Sequence, residues 1–353
     1  MLSAAHLRSN LLVKLGERTG ETHTLPLVLF APTARCNSRC VSCDWWMSDG
    51  AGDLSREEIR HLADALSHYG THTVVFTGGE PLVRPDIIEV ADLFLARGFT
   101  LQLLTSGLAL ERFAPAIATR FNEVTISLDG DTPELYQAIR GVNGLGALTA
   151  GVKRLRKLAP QIGLRARSTI HRHNFRSMAG LIARAQEIGF DQISFLAADV
   201  TSASFNRGPS LPLADDQHPA RPRLTLDAVE TAEMAAVVEQ VIQSHARDLA
   251  ERRIVPGPAG LRKLVAYYRA HLGLGPFPGV ECSAPWTSLV IEADGAVRPC
   301  FFHPAVGTLR QRSLDDLLAT AMPQFRRSLT VATDPTCQRC VCTLKVGLRS
   351  KLW

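Results

Sequence analysis

No stretch of the 353-residue sequence approaches the roughly twenty consecutive apolar residues that a membrane-spanning helix requires. A secretion signal is missing as well. Residues 1–24 place Arg8, Lys14, Glu17 and Arg18 around short apolar pieces, with neither a long apolar h-region nor a cleavage site. The expectation is a cytoplasmic protein with no membrane partner. Charge of one sign is also lacking in any concentrated form. A formal +5 and a pI near 8.9 permit an acidic ligand, but the Lys and Arg residues are interspersed with acids and form no stripe for nucleic acid. What the chain does hold is cysteine, three residues near the start and five near the end. In a reducing compartment that number and clustering favour metal ligation over disulfides. The length suffices for one large domain with a smaller appendage.

Cys36, Cys40 and Cys43 form a Cys-x3-Cys-x2-Cys loop directly after the apolar run Leu25 to Phe30. A cubane takes one protein ligand per iron, so three thiolates on one short loop suit a 4Fe-4S cluster with one iron left open to a further ligand. Zinc usually takes its cysteines as Cys-x2-Cys pairs. A trio in one loop serves a disulfide poorly.

Beyond the loop, strands and helices alternate. Apolar runs predict strands at 25–30, 73–76, 100–104, 123–126, 163–170 and 192–196. Helices are expected near 55–66, 86–96, 110–119, 133–139, 146–158 and 175–188. The first of these opens on Ser55-Arg56-Glu57-Glu58, a capping box followed by Ile59, Leu62, Ala63 and Leu66 at helical spacing. Six such units imply a parallel sheet with right-handed crossovers, better suited to an incomplete barrel than to a dinucleotide-binding sheet. Reactive groups in such barrels gather at the C-terminal ends of strands. Here those ends carry Gly78-Gly79-Glu80-Pro81, then Thr105 and Ser106, then Ser127 and Asp129, then Ser168 and Asn174.

The cysteine spacing together with Gly78-Gly79-Glu80-Pro81 after the second strand resembles the radical S-adenosylmethionine (SAM) superfamily. The resemblance implies an α/β fold, a partial (β/α)6 barrel core over residues 25–223 after an N-terminal extension of 1–24. It implies that Cys36, Cys40 and Cys43 hold a 4Fe-4S cluster whose open iron is chelated by the methionine amino and carboxylate groups of SAM. Glu80 and nearby carbonyls would receive the methionine ammonium, and Thr105, Ser106, Ser127 and Asp129 would reach methionine and ribose groups. Arg140 is a candidate planar fork for the methionine carboxylate, with Ser168 and Asn174 as secondary contacts. On residue chemistry alone, Asp129-Gly130-Asp131 reads as a helix-entry turn. One departure is Ser42, which stands where the family commonly has an aromatic over the adenine. Trp45 and Trp46 follow instead, as stacking or shielding candidates or as apolar packing under the loop. The implied chemistry is cleavage of SAM by an electron from an external donor such as a flavodoxin or ferredoxin, giving a 5′-deoxyadenosyl radical that abstracts a hydrogen atom from substrate.

Residues 198–223 lack a sustained period and read as an active-site loop or linker, with Asp199, Ser202, Ser204 and Asn206 as candidate substrate contacts. His171, His173 and His218 receive no role. A long amphipathic helix is expected from Thr225, its cap, to Leu249, with Ala228, Val229, Ala232, Ala235, Val238, Val241 and Ile242 as the apolar face. Another is expected near 260–272. Cys282 and Cys300 flank a hairpin signal at Asp294-Gly295, and Cys337 and Cys340 follow a helical stretch at 314–325. Four such cysteines could equally form a zinc ribbon. Beside the first loop they resemble the twitch form of the SPASM extension, which implies that residues 224–353 form a helical linker and a small α+β domain with a second, auxiliary 4Fe-4S cluster. Ligand choice among Cys337, Cys340 and Cys342 stays open by one. Related epimerases return a hydrogen atom from a cysteine, which makes Cys342 a candidate donor.

Two substrate classes follow. Only Met1 to Arg35 precedes the first cysteine, too little for the winged-helix leader-binding domain of many peptide-modifying relatives. The expectation is therefore a carbohydrate-like or other small metabolite undergoing dehydrogenation or epimerisation. The alternative is a ribosomal peptide recognised through a separate leader-binding partner. From another class, the chain would be a zinc-binding structural or interaction protein.

Overall fold

The computed structural model describes residues 4–207 and 221–350; His218 and the stretch 208–220 of the expected loop lie outside them. The strands are β1 (Leu27–Phe30), β2 (Thr73–Phe76), β3 (Thr100–Thr105), β4 (Phe121–Ser127), β5 (Gly163–Ile170), β6 (Gln192–Ala197), β7 (Ile254–Val255), β8 (Ser288–Ile291), β9 (Ala296–Arg298) and β10 (Gly307–Thr308). The six strands expected from the sequence are β1 to β6. Contacts divide the chain into two compact units, one of residues 1–36, 47–103 and 280–353, the other of 37–46 and 104–279.

In the first unit β2 lies parallel between β1 and β3, and β8 lies parallel on the other side of β1. All four residues of β2 are buried, as expected for a strand covered on both faces. Phe30, Phe76 and Phe94 meet with ring centroids 5.4–5.7 Å apart in tilted and edge-on arrangements, the geometry aromatic quadrupoles prefer. The Ser55–Glu58 capping box is realised, and Ile59, Leu62, Ala63 and Leu66 are the buried residues of helix Arg56–Ser67. The hairpin at Asp294-Gly295 forms with β8 and β9 antiparallel, Ile291 opposite Val297, and Gly295 takes the left-handed φ of +87° that a side chain resists. Two features differ from expectation. Ala4–Thr19 is helical, although its apolar residues leave no clean sequence face; the Asn10 carboxamide ties it to the Leu348 and Ser350 carbonyls at 3.0 and 3.1 Å. The helix expected over 314–325 is two helices, Leu314–Ala319 and Ala321–Ser328, because the backbone leaves helical geometry at Thr320 (φ −126°).

The second unit holds β4, β5, β6 and β7 in parallel register, with helix Met178–Ile188 between β5 and β6. The long helix expected over Thr225–Leu249 runs over Ala228–Ser244 and is capped by Asp227, not Thr225. Asp227 accepts the Glu230 amide at 2.9 Å while Glu230 accepts the Asp227 amide at 3.0 Å, a reciprocal arrangement Thr225 is too far upstream to make. A second helix, Ala246–Ala250, follows the break at His245. The buried residues of the long helix are Thr231, Met234, Val238 and Val241, so the expected face is right at its C-terminal end and wrong at its start, where Val229 is 79% exposed. Residues 227–279 thus group with β4 to β7, and residues 280–353 with β1 to β3. Among the described residues no helix is long and apolar enough to cross a membrane.

Candidate iron-sulfur centres

In the first unit the chain leaves β1 and reaches Cys36 along a segment held from two directions. Asp53 accepts the Ala34 amide at 2.8 Å and the Thr33 hydroxyl at 2.5 Å. On the other side the Gly79 amide donates to the Thr33 carbonyl (3.1 Å) and the Glu80 amide to the Arg35 carbonyl (2.8 Å). Gly79 can sit there only without a side chain: a Cβ would lie 2.2 Å from the Arg35 carbonyl oxygen. Gly78, at φ +95°, would place one 2.5 Å from the Ala31 Cβ. The two glycines therefore let the second signature lie against the segment that delivers the first cysteine. Buried Glu80 caps the turn Pro81–Val83 by accepting the Leu82 amide at 3.1 Å. Arg84, which sequence reasoning missed, is buried and donates to the Pro32 and Leu54 carbonyls at 2.6 and 2.9 Å while pairing with Asp86 at 2.8 Å.

In the second unit, the Arg39 and Val41 amides donate to the Arg140 and Ile139 carbonyls at 2.8 and 3.0 Å, so the cysteine loop satisfies the orphan C-terminal carbonyls of helix Pro133–Arg140. The left-handed Gly141 beyond it would bring a Cβ within 2.6 Å of the Arg39 carbonyl. The segment after β6 holds the same loop. The Phe205 carbonyl accepts the Asp44 amide at 3.0 Å and lies 3.7 Å from Cys43 Sγ. Arg207, unforeseen from sequence, forms a buried ion pair with Asp199 at 3.2 Å and donates to the Ser42 carbonyl. Asp199 also accepts the Ser202 hydroxyl, which gives two of the expected substrate-loop residues an internal partner. Trp46 is 39% exposed.

Of the remaining candidates, Asp129 and Arg140 are brought together, with Nη1 to Oδ2 at 3.0 Å. The other Asp129 oxygen accepts the Thr169 amide at 2.8 Å. Ser106 Oγ reaches Asn37 Oδ1 at 3.4 Å. Thr105 Oγ1 accepts the Gly107 amide at 3.0 Å. Ser127 is half-buried at the end of β4. Ser168 and Asn174 are fully buried and bond main chain: Ser168 donates to the Leu128 carbonyl, and Asn174 to the Asp129 and Thr169 carbonyls at 3.0 Å each. These bonds brace the ends of β4 and β5.

The second cysteine group lies wholly within the first unit. Cys282 Sγ accepts the Ala284 and Leu344 amides at 3.4 and 3.5 Å. The Cys300 thiol receives backbone bonds from Phe302 and His303. Asp334 caps helix Pro335–Gln338 by accepting the Cys337 amide at 2.9 Å, and the Cys342 amide donates to Cys340 Sγ at 3.4 Å. Burial pushes the Cys300 thiol up to about 11, and pushes Cys337 and Cys340 further above the ordinary thiol range, with neighbouring thiols of the group adding to it. Thiolates gathered in this way are stable only beside a cation, and a bound metal inverts that preference. None of the eight cysteines, all among the described residues, is joined in a disulfide. Five convergent sulfurs, with amide donors aimed at Cys282, Cys300 and Cys340, fit an iron-sulfur cluster. His303 was not foreseen. Its buried ring places Nε2 3.3 Å from Cys337 Sγ and 3.5 Å from Asp334 Oδ1. Its place three residues after Cys300 was the available signal.

Residues 30–194 match the family model of the radical SAM superfamily, and residues 282–341 that of an iron-sulfur cluster-binding domain, SPASM. The chain is similar to the antilisterial bacteriocin subtilosin biosynthesis protein AlbA of Bacillus subtilis, 26% identical over 84% of this chain and 62% of AlbA. It is also similar to the AdoMet-dependent heme synthase of Methanosarcina barkeri, 30% identical over 48% of this chain and 49% of that enzyme. The chain thus spans about half to three-fifths of the length of these relatives. Among solved structures, that of Streptococcus suis SuiB bound to S-adenosylmethionine superposes with a TM-score of 0.66 at 13% identity, over 95% of this chain and 76% of SuiB; it shares the α/β fold. The expected partial barrel with a C-terminal extension is thereby the fold of this chain. With its two domain matches and its two cysteine groups, the chain belongs to the radical SAM superfamily, carries a C-terminal SPASM extension, and takes a 4Fe-4S cluster, S-adenosylmethionine and an auxiliary iron-sulfur cluster as cofactors.

Proposed function

We propose that this radical SAM enzyme modifies a peptide, the alternative in the sequence reading, in preference to the small metabolite expected first. The observation that carries this reading is the extent of the AlbA match, which takes in 84% of the chain, whereas the heme synthase match takes in 48%. AlbA's name places it in the biosynthesis of a bacteriocin. When bound, the first cluster and SAM supply reductive cleavage to a hydrogen-abstracting 5′-deoxyadenosyl radical, and the auxiliary cluster supplies an electron acceptor. Cys36, Cys40 and Cys43 would hold the first cluster, and Cys282, Cys300, Cys337 and Cys340 the second. Gly79 and Glu80 fix the approach to Cys36, and Arg207 fixes the carbonyl before Cys43. Exposed Cys342, bonded through its amide to Cys340, remains the candidate for returning a hydrogen atom in an epimerisation. An external reductant such as a flavodoxin or ferredoxin completes the set of partners.

Anaerobically reconstituted, reduced enzyme should form 5′-deoxyadenosine and change the mass of a candidate precursor peptide. The Cys36→Ala, Cys40→Ala, Cys43→Ala variant should form none. Turnover of a small metabolite with candidate peptides and their leader-binding proteins left unmodified would overturn the peptide reading.

A further inference from the structure

Among the described residues, the buried His303 ring is brought to the sulfur of Cys337, with the Asp334 carboxylate beside them. The ring is 4% exposed, lies edge-on to Phe325 with centroids 5.0 Å apart, and presents Nε2 to two acceptors at once: Cys337 Sγ at 3.3 Å and Asp334 Oδ1 at 3.5 Å. With Cys337 as the thiolate that a cluster ligand must be, both groups accept, and the tautomer that satisfies them carries its proton on Nε2. Asp334 is itself fixed, because it caps the short helix that carries Cys337. The His303 backbone also donates to Cys300, so one residue addresses two of the cluster sulfurs, Cys300 through its amide and Cys337 through its ring.

We propose that His303 is a positioning residue of the auxiliary cluster: its Nε2–H donates to the Cys337 thiolate, oriented by Asp334, and holds the reduction potential of that cluster up. This rests on the assignment of Cys337 as a ligand. Hydrogen bonds to thiolate sulfurs stabilise the more negative, reduced state of a cluster and raise its potential. A cluster serving as electron acceptor needs that shift upward.

The test uses the protein lacking the first trio, so that only the auxiliary cluster is present. EPR-monitored redox titration is run on the parent, His303→Leu and His303→Gln, with iron counted in each. With iron retained, His303→Leu should lower the midpoint by the equivalent of about tenfold in the reduction equilibrium, about 59 mV for one electron. His303→Gln, which keeps an N–H, should recover part of the shift. An unchanged midpoint in His303→Leu overturns the proposal. So does loss of iron from both variants, which would make His303 a ligand or a fold support. Cys337→Ala keeps the two assignments apart: a variant that holds the parent's iron removes Cys337 from the ligand set, whatever the His303 variants do.

Discussion

Replacing Gly79 by Ala is the sharpest perturbation of the radical SAM loop, because the cost is fixed by backbone rather than by a movable side chain. The added Cβ would meet the Arg35 carbonyl oxygen at 2.2 Å and the Ala34 carbonyl oxygen at 2.8 Å. Relief requires the 33–36 segment to move outward, which stretches the bonds from the Gly79 and Glu80 amides to the Thr33 and Arg35 carbonyls. Overpacking costs about 1–3 kcal/mol, and each weakened bond up to about 1 kcal/mol, so a loss of about 3 kcal/mol is expected. Gly146→Ala is the control. It lies in helix Leu145–Leu158 with nothing within 4 Å of its would-be Cβ, and helix propensity makes it neutral or stabilising by about 0.5–1 kcal/mol. Urea unfolding of both variants, with iron counted after reconstitution, reads the contrast. A Gly79→Ala protein within about 0.5 kcal/mol of the parent that loads full iron would refute the close approach as a requirement.

Arg140→Met should cost about 3–5 kcal/mol, the penalty for leaving a buried charge unpaired; a change below about 0.5 kcal/mol in urea unfolding would show that Asp129 finds compensation elsewhere. His171, whose buried Nε2 has no hydrogen-bond partner among the described residues, is held by burial at a pKa of about 3, below the ordinary 6.5. Its contribution to stability is therefore complete above pH 6.5 and lost as pH falls toward 3, with a slope of at most about 1.4 kcal/mol per pH unit. His171→Phe should flatten that limb of the stability profile, and an unchanged slope would assign it to other groups. Glu80→Gln should weaken SAM binding about tenfold, the worth of one charge-assisted bond, measured by calorimetry on cluster-loaded protein; equal affinity would leave Glu80 as the cap of its turn alone.

What could be read from the sequence was local. The trio of cysteines, Gly78-Gly79 after an apolar run and the Asp294-Gly295 turn each declare themselves within a few residues, because ligand spacing and positive φ are short-range requirements. The Asp129–Arg140 pair was visible only as two separate candidates, since sequence spacing does not say that a strand end and a helix end will meet. Arg84 looked like any surface arginine; its bonds to the Pro32 and Leu54 carbonyls are set by tertiary approach. His303 and Cys337 are 34 residues apart, beyond any periodicity argument. The breaks at His245 and Thr320 were missed because apolar period continues through both, while the backbone leaves it.

The parallel pairing of β8 with β1, Leu27 opposite Ser288 through Phe30 opposite Ile291, gives the extension a duty separate from holding a cluster. Without β8, the apolar Leu27-Val28-Leu29-Phe30 segment would present an open row of amides and carbonyls, the template on which strands of other chains add. The extension is thus an edge guard for the strand that leads to Cys36. Proteolytic or engineered removal of the auxiliary site is accordingly expected to give a sticky, strand-swapping core rather than a smaller working enzyme, and grafting a foreign extension would have to reproduce this ladder before any cluster chemistry could be compared.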